Sequence, residues 1–99
     1  MEIRKNINGD QWEMIVPGRV DGAMANQLEV EILAAFRQGA KNIFVNLVEA
    51  TFLCSAGLRV LLQHHRQAKA QGKTLLVTRP SAEVAAAIEM TGFTGLVEK

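Results

Sequence analysis

The sequence predicts an α/β domain: a mixed four- to five-stranded sheet that begins with an antiparallel hairpin and carries about three to four helices. Short apolar runs alternate with longer segments in which apolar residues recur at helical spacing. Strands separated by helices of this length pair in parallel through right-handed crossovers. An Asn-Gly dipeptide between the first two runs marks a hairpin. The 99 residues fit a single domain spanning residues 1–99.

The hairpin is predicted over residues 2–7 and 12–16. The Asn-Gly pair at 8–9 lies between the two strands, and this dipeptide is a strong signal for a tight hairpin turn. A Pro-Gly pair at 17–18 then ends the second strand.

Three helices are predicted at residues 23–38, 57–70 and 81–90, each with one apolar face and a glycine close behind its last residue. The apolar face of the second helix consists of Leu58, Leu61, Leu62, His65 and Ala68. This pattern predicts that His65 is packed and hydrogen-bonded, and that its neighbour His64 lies in solvent.

The remaining strands are predicted at 43–47 and 74–78, with a short last strand near 96–97. The run at 43–47 is apolar enough to be buried on both sides. The periodicity leaves open whether the helices cover one face of the sheet or both.

Composition excludes several classes of function. A net charge of +1 argues against direct nucleic-acid binding, because proteins that track phosphates concentrate Lys and Arg. No run of about 18 apolar residues occurs, so no segment is expected to cross a membrane. The first ten residues are polar and charged, unlike a secretory signal. The single cysteine, Cys54, suits a reducing compartment, so we expect a cytoplasmic location.

No catalytic residue, cofactor or metal ion is expected. Glycine-rich phosphate cradles are absent from the sequence. His64 and His65 project about 100° apart on a helix, which makes a shared metal ion unfavourable. A triad of Ser55, a histidine and Asp21 fails on distance, because the histidines lie roughly 13–15 Å farther along the helix axis. The sequence therefore predicts a binding protein and not an enzyme.

Ser55 is the residue with the clearest functional potential. The segment 51–62 joins a strand to a helix, and Ser55 is expected at the N-cap, where it accepts a hydrogen bond from the first turn. The free amides and positive dipole end at such a place also favour a phosphate group. Phosphorylation would add roughly −1.5 to −2 units of charge without breaking the fold. Ser55 is thus either a plain cap or a phosphorylation switch.

Three stretches of the chain resemble the STAS domain family, in particular its stand-alone bacterial anti-sigma factor antagonists. They are Gly-Arg-Val-Asp at 18–21, the segment 52–62 that is similar to the family run F-[IM]-D-S-[ST]-G-L, and Arg-Pro-Ser at 79–81 with Met-Thr-Gly-Phe at 90–93. The resemblance covers nearly the whole chain and implies a STAS-like fold.

The resemblance also implies a function in transcription regulation by partner switching. In that family, the serine after the motif aspartate is phosphorylated by a partner serine kinase of the histidine-kinase-like ATPase type, which is often itself the anti-sigma factor. The unphosphorylated form binds this kinase and frees a sigma factor, and a metal-dependent serine phosphatase is the other expected partner. By position, Ser55 is the phosphoacceptor, and Asp21 matches a family aspartate implicated in phosphorylation and partner contact.

The chain departs from the family motif at two positions. The motif aspartate is Cys54, and the second serine or threonine is Ala56. Cys54 is expected to be a small buried apolar residue and not a thiol switch. The lost carboxylate favours an alternative function as a STAS accessory subunit of an ABC-type lipid transporter, which needs no phosphorylation.

The predicted partner-binding surface surrounds Ser55. Leu62 is expected to point inward, whereas Met24 is expected to be exposed beside Ser55. Asp21 caps the first helix, contacts the partner, or does both. The full predicted surface is Asp21, Met24, Ser55, Ala56, Gly57, Arg59 and Gln63.

Overall fold

The computed structural model describes residues 2–93 and 95–98, and this part of the chain contains six strands and three helices. The strands are β1 Arg4–Asn8, β2 Gln11–Ile15, β3 Gly18–Val20, β4 Asn42–Asn46, β5 Ala50–Leu53 and β6 Thr74–Thr78. The helices are α1 Gly22–Arg37, α2 Ser55–Ala70 and α3 Ala82–Glu89.

Four strands form a mixed sheet in the order β1-β2-β4-β6. β1 pairs antiparallel with β2, whereas β2, β4 and β6 are parallel neighbours. Val97 adds one parallel bridge to Val77 at the β6 edge, where the short last strand was expected. The mixed α/β sheet with its N-terminal hairpin is confirmed. The strands β3 and β5, which the sequence did not predict, form a separate parallel pair.

The hairpin turn is centred one residue later than the Asn-Gly signal implies. Asn8 pairs with Gln11, so Gly9 and Asp10 are the two turn residues. Gly9 has a φ of +63°, a backbone conformation that glycine adopts at little cost. Glycine at the first central position is typical of the type II′ turn, which suits the twist of a hairpin.

The helices cover one face of the sheet. The side chains of β2, β4 and β6 that point toward this face are fully or almost fully buried: Trp12, Met14, Ile43, Val45, Leu75 and Val77. On the other face, Glu13, Phe44 and Leu76 share one register row and are only half-buried. The expectation that the strand at 43–47 is buried on both sides is therefore wrong at Phe44.

Specific hydrogen bonds tie α1 and α2 to different strands of the sheet on the covered face. The carboxylate of Glu31 on α1 accepts a hydrogen bond from Lys5 on β1 at 2.8 Å. On α2, Nδ1 of His65 lies 2.7 Å from the carbonyl oxygen of Leu75 on β6, which fixes that nitrogen as the donor. α1 therefore lies toward the hairpin edge of the sheet, and α2 toward the β6 edge.

The prediction for the two histidines is half right. His65 is hydrogen-bonded and partly buried, as expected. His64, expected in solvent, is only 3% exposed and its Nε2 lies 2.9 Å from a carboxylate oxygen of Glu29 on α1. The reason is that α2 is flanked by α1 as well as by the sheet, so the buried arc of α2 is wider than its apolar stripe.

Candidate functional site

The β3–β5 pair brings the starts of α1 and α2 together. Val20 at the end of β3 is in register with Leu53 at the end of β5. The amide of Cys54 donates to the carbonyl oxygen of Val20 at 2.9 Å. Asp21 and Cys54, which follow the two strands, therefore lie side by side and begin the two helices.

Asp21 caps α1. Its backbone is extended, and its Oδ1 accepts a hydrogen bond from the amide of Met24 at 3.0 Å. Asp21 remains exposed, so its carboxylate satisfies the helix and still contributes negative charge to the surface.

Cys54, and not Ser55, is the N-cap of α2. Its backbone is extended, and its Sγ accepts from the amide of Gly57 at 3.4 Å. The prediction that Ser55 caps the helix is wrong by one residue, because the thiol takes the capping position and Ser55 becomes the first helical residue. Cys54 is half-buried, not buried as expected.

The position of Ser55 leaves it available for chemistry. It is exposed in the first turn of α2, where backbone amides still lack partners within the helix. Since the cap is supplied by Cys54, the hydroxyl of Ser55 is not needed to hold the helix start. A phosphate there would sit at the positive end of the helix dipole.

Gly57 is required by a close approach of α2 to the β3–β5 pair. A Cβ at this position would lie 2.9 Å from Leu53 Cδ1 and 2.9 Å from Val20 Cγ1. Gly57 is buried, so it does not belong to the exposed partner surface where the sequence placed it. Because Gly57 has no side chain, the first turn of α2, which carries Ser55, packs closely against β3 and β5.

Met24 is the second residue of the predicted surface that is not exposed. Its side chain is 9% exposed and belongs to the hydrophobic core. The expectation that it lies open beside Ser55 is wrong, because the Asp21 cap starts α1 in a phase that points Met24 inward with Leu28, one turn later.

The other predicted residues share one accessible surface. Ser55, Arg59 and Gln63 are exposed at i, i+4 and i+8 on α2, with Ala56 half-buried next to them. Leu62 is half-buried and packs against the core, as expected. We call the set Asp21, Ser55, Ala56, Arg59 and Gln63 the Ser55 surface.

Two exposed residues near the Ser55 surface were missed from the sequence. Arg19 and Phe52 are in register on β3 and β5, and the Arg19 guanidinium lies 4.3 Å from the centre of the Phe52 ring. Leu53 and Val20 point inward, so their strand neighbours point outward, but the two strands are too short for this alternation to be recognised in the sequence.

The described residues offer no group of three or more His, Cys, Asp or Glu side chains arranged to hold a metal ion. Both histidines are engaged in contacts that hold the fold, His64 with Glu29 and His65 with the backbone of Leu75. Within residues 2–93 and 95–98, every helix is too short or too polar to traverse a lipid bilayer.

The family model described as "Mlab, STAS domain" matches residues 3–98 of the chain. The chain is 32% identical over 76 residues to BtrV of Bordetella bronchiseptica, which is named provisionally as an anti-sigma factor antagonist. The match covers 77% of this chain and 66% of BtrV, so the chain spans just under two thirds of that relative's length.

Solved structures share the fold. The unphosphorylated form of the anti-sigma factor antagonist SpoIIAA matches with a TM-score of 0.85 and 20% identity, over 98% of this chain and 86% of SpoIIAA. TM1081 of Thermotoga maritima matches with a TM-score of 0.86 and 15% identity, over 97% of this chain and 83% of TM1081. At these identities the likeness concerns the fold alone. Because the family model spans nearly the whole chain, this protein belongs to the STAS domain family.

Proposed function

We propose that this protein is an anti-sigma factor antagonist that binds an anti-sigma factor of the serine-kinase type and is released when Ser55 is phosphorylated. It acts by binding and is not an enzyme, in line with the regulatory role named for BtrV and SpoIIAA. One observation carries the proposal: Ser55 is exposed in the first turn of α2, beside the Asp21 cap of α1.

The local chemistry supports a phosphate at Ser55. The amides of the first turn and the helix dipole favour negative charge by about 0.3–1 kcal/mol. Arg59 lies one turn later on the same exposed side of α2 and offers a cation at i+4. The fold should therefore tolerate phosphorylation, while the charge presented to a partner changes by roughly −1.5 to −2.

Loss of binding follows from desolvation. A partner seated on the Ser55 surface covers the Ser55 hydroxyl, and burying this neutral group costs far less than burying a charged phosphate. A phosphate in the same place would have to be buried or to push the partner away. Losing about 3 kcal/mol of binding free energy would weaken affinity more than a hundredfold, since about 1.4 kcal/mol is tenfold.

The two serines of the chain allow a matched experiment. Wild type, Ser55→Ala, Ser55→Asp and the control Ser81→Asp are used to capture partners from native lysate, followed by mass spectrometry. Ser81 caps α3 by accepting from the amide of Val84 at 3.3 Å, and aspartate caps equally well. We expect a histidine-kinase-like serine kinase with every bait except Ser55→Asp, and phosphate on Ser55 after incubation of wild type with that kinase and ATP.

Calorimetry with the recovered kinase then measures how much binding affinity each variant loses. Ser55→Asp should keep its melting temperature within a few degrees of wild type and bind more than a hundredfold more weakly, whereas Ser55→Ala should bind and escape phosphorylation. Equal affinity of wild type and Ser55→Asp would refute the switch. Release of phosphate by a metal-dependent serine phosphatase and the cytoplasmic location stay predictions.

The capping role of Cys54 favours a second candidate function. A thiol stands where the family motif has an aspartate, so the chain has lost a carboxylate beside Ser55. An accessory subunit of an ABC-type lipid transporter would need no phosphorylation and would tolerate this loss. Recovery of a transporter ATPase with all four baits, Ser55→Asp included, would support this candidate against the switch.

A further inference from the structure

A β-bulge in the β3–β5 pair places Arg19 opposite Phe52. Gly18 is in register with Ala50. The next residue on β3, Arg19, is in register with Phe52, so Thr51 is left without a partner on β3. In a regular ladder Arg19 would lie opposite Thr51. Bulges of this kind re-aim side chains and are frequent beside functional sites, and this one brings an arginine and an aromatic ring together on the outer side of the pair.

The ring orients the arginine before any partner is present. The Cζ atom of Arg19 lies 4.3 Å from the centre of the Phe52 ring. Both side chains are exposed to solvent. A guanidinium that stacks on an aromatic face keeps the N–H groups at its edge free to donate hydrogen bonds. Arg19 is therefore a positioned donor on the surface and not a freely moving charge.

The carboxylates near Arg19 have other partners. Among the described residues, the Arg19 guanidinium forms no ion pair. Glu49, whose carbonyl oxygen accepts from the amide of Gly18 at 3.0 Å, pairs its carboxylate with Arg4. Asp21, two residues after Arg19, accepts the amide of the first turn of α1 and caps that helix. The fork of N–H donors on Arg19 is thus left unpaired.

Arg19 and Phe52 lie directly beside the Ser55 surface. Asp21 follows Arg19 by two residues, and Ser55 follows Phe52 by three. At about 3.3 Å per residue, these separations are at most roughly 7 and 10 Å along the backbone. A standard interface buries about 800 Å² per partner, which is roughly 30 Å across. A partner that covers Ser55 therefore reaches the arginine as well.

We infer that Arg19, held over Phe52, determines the specificity of the proposed kinase contact by donating to an aspartate or glutamate carboxylate of the partner. This inference rests on the proposed function. The planar fork of arginine matches a carboxylate with two parallel hydrogen bonds. Arginine and aromatic residues are enriched among the residues that dominate interface energies, and an oriented side chain loses less entropy on binding. A partner with a basic residue at this place would be rejected.

The chain contains a matched control for this test. Arg66 lies over the ring of Phe93 at 5.3 Å, but eleven residues after Ser55, roughly 16 Å farther along α2. Affinity of Arg19→Ala and Arg66→Ala is measured by calorimetry against the purified serine kinase recovered with the wild-type chain. We expect at least tenfold weaker binding for Arg19→Ala and less than twofold change for Arg66→Ala. Both variants should melt within a few degrees of wild type, because both arginines are exposed.

Two further variants identify the kind of contact. Arg19→Lys keeps the charge but loses the fork, so binding should weaken severalfold. Phe52→Leu keeps an apolar side chain but loses the ring that orients the arginine, and should also weaken binding severalfold. The amine introduced by Arg19→Lys can be coupled to a carboxylate by a carbodiimide, which forms an amide with loss of water. Mass spectrometry of the coupled complex should join position 19 to an aspartate or glutamate of the kinase.

Four results would overturn the inference. Binding of Arg19→Ala within twofold of wild type, while Ser55→Asp fails to bind, would remove Arg19 from the interface and keep the proposed function. Equal losses in Arg19→Ala and Arg66→Ala would indicate a general effect of charge. A lower melting temperature of Arg19→Ala only after phosphorylation, with unchanged kinase binding before it, would assign the arginine to the phosphate on Ser55. Recovery of no kinase by the wild-type chain would remove both the inference and the proposed function.

Discussion

Replacing Gly57 by alanine should destabilise the protein, although alanine is the better helix former. In a helix interior the substitution gains about 1 kcal/mol, which is an upper bound for Gly57 in the first turn of α2. Here the added methyl group would lie 2.9 Å from Val20 Cγ1 and from Leu53 Cδ1. The end of the leucine side chain can move, but Val20 is fully buried and β-branched, so it cannot rotate away.

The expected magnitude follows from these opposing terms. Overpacking a close-packed core costs about 1–3 kcal/mol, and the stiff valine places this site in the upper part of that range. After the gain in helix propensity, a net loss of about 1–2 kcal/mol remains. For a domain of this size, each kcal/mol lowers the melting temperature by about 4–8 °C.

The matched control is Gly22→Ala at the start of α1. No atom lies within 4 Å of a Cβ at Gly22, so this variant should be neutral or slightly more stable. Urea unfolding is measured for both variants and for Gly57→Ala in a Val20→Ala background. Together these measurements separate the gain in helix propensity from the cost of the clash with Val20. In that background the clash with Cγ1 is gone and the cost should shrink. A Gly57→Ala variant as stable as Gly22→Ala would refute the close-approach argument.

Three other substitutions test the caps and the contact between helices, each by urea unfolding. Asp21→Ala should cost about 0.5–2 kcal/mol, because the amide of Met24 loses its acceptor. Cys54→Asp should gain about 1 kcal/mol, because a carboxylate caps better than a thiol at 3.4 Å. Glu29→Ala should cost about 1–3 kcal/mol, since it leaves His64 buried without its hydrogen-bond partner.

Each of these values has an outcome that would contradict it. An unchanged urea-unfolding midpoint in Asp21→Ala would mean that water replaces the hydrogen bond to the Met24 amide without loss of stability. Destabilisation by Cys54→Asp would mean that the half-buried site excludes charge. Glu31→Ala is the control for Glu29→Ala: its carboxylate pairs with the more exposed Lys5, so it should cost under about 1 kcal/mol. Equal losses in the two glutamate variants would contradict the argument from burial.

The parts of the fold that were predicted correctly depend on local signals. The hairpin around Gly9, the apolar run at 12–16, and the helical spacing of Leu28 and Ile32 each lie within one element or one turn, so single-sequence patterns contain them. Predicted helix bounds differ from the observed ones by at most two residues, which is the usual ambiguity at helix ends.

The parts that were missed depend on partners distant in the sequence. β3 and β5 have three and four residues, too few for a periodic signal, and they exist as strands because they pair with each other. His64 is buried because Glu29, thirty-five residues earlier, lies opposite it. The N-cap of α2 was misplaced for a related reason. Serine is the better capping residue in general, but the hydrogen bond from the Cys54 amide to the Val20 carbonyl oxygen fixes where the helix begins.

The exchange of aspartate for Cys54 bears directly on how a phosphate at Ser55 would be sensed. The cap no longer carries a charge, so the negative Asp21 and the positive Arg59 nearly balance at the Ser55 surface. Phosphorylation would then turn a nearly neutral surface into one with a charge of roughly −1.5 to −2. With an aspartate at position 54, the surface would already be negative before phosphorylation. The thiol therefore makes phosphorylation of Ser55 a change from a nearly neutral to a negative surface, a larger contrast than an aspartate at position 54 would allow.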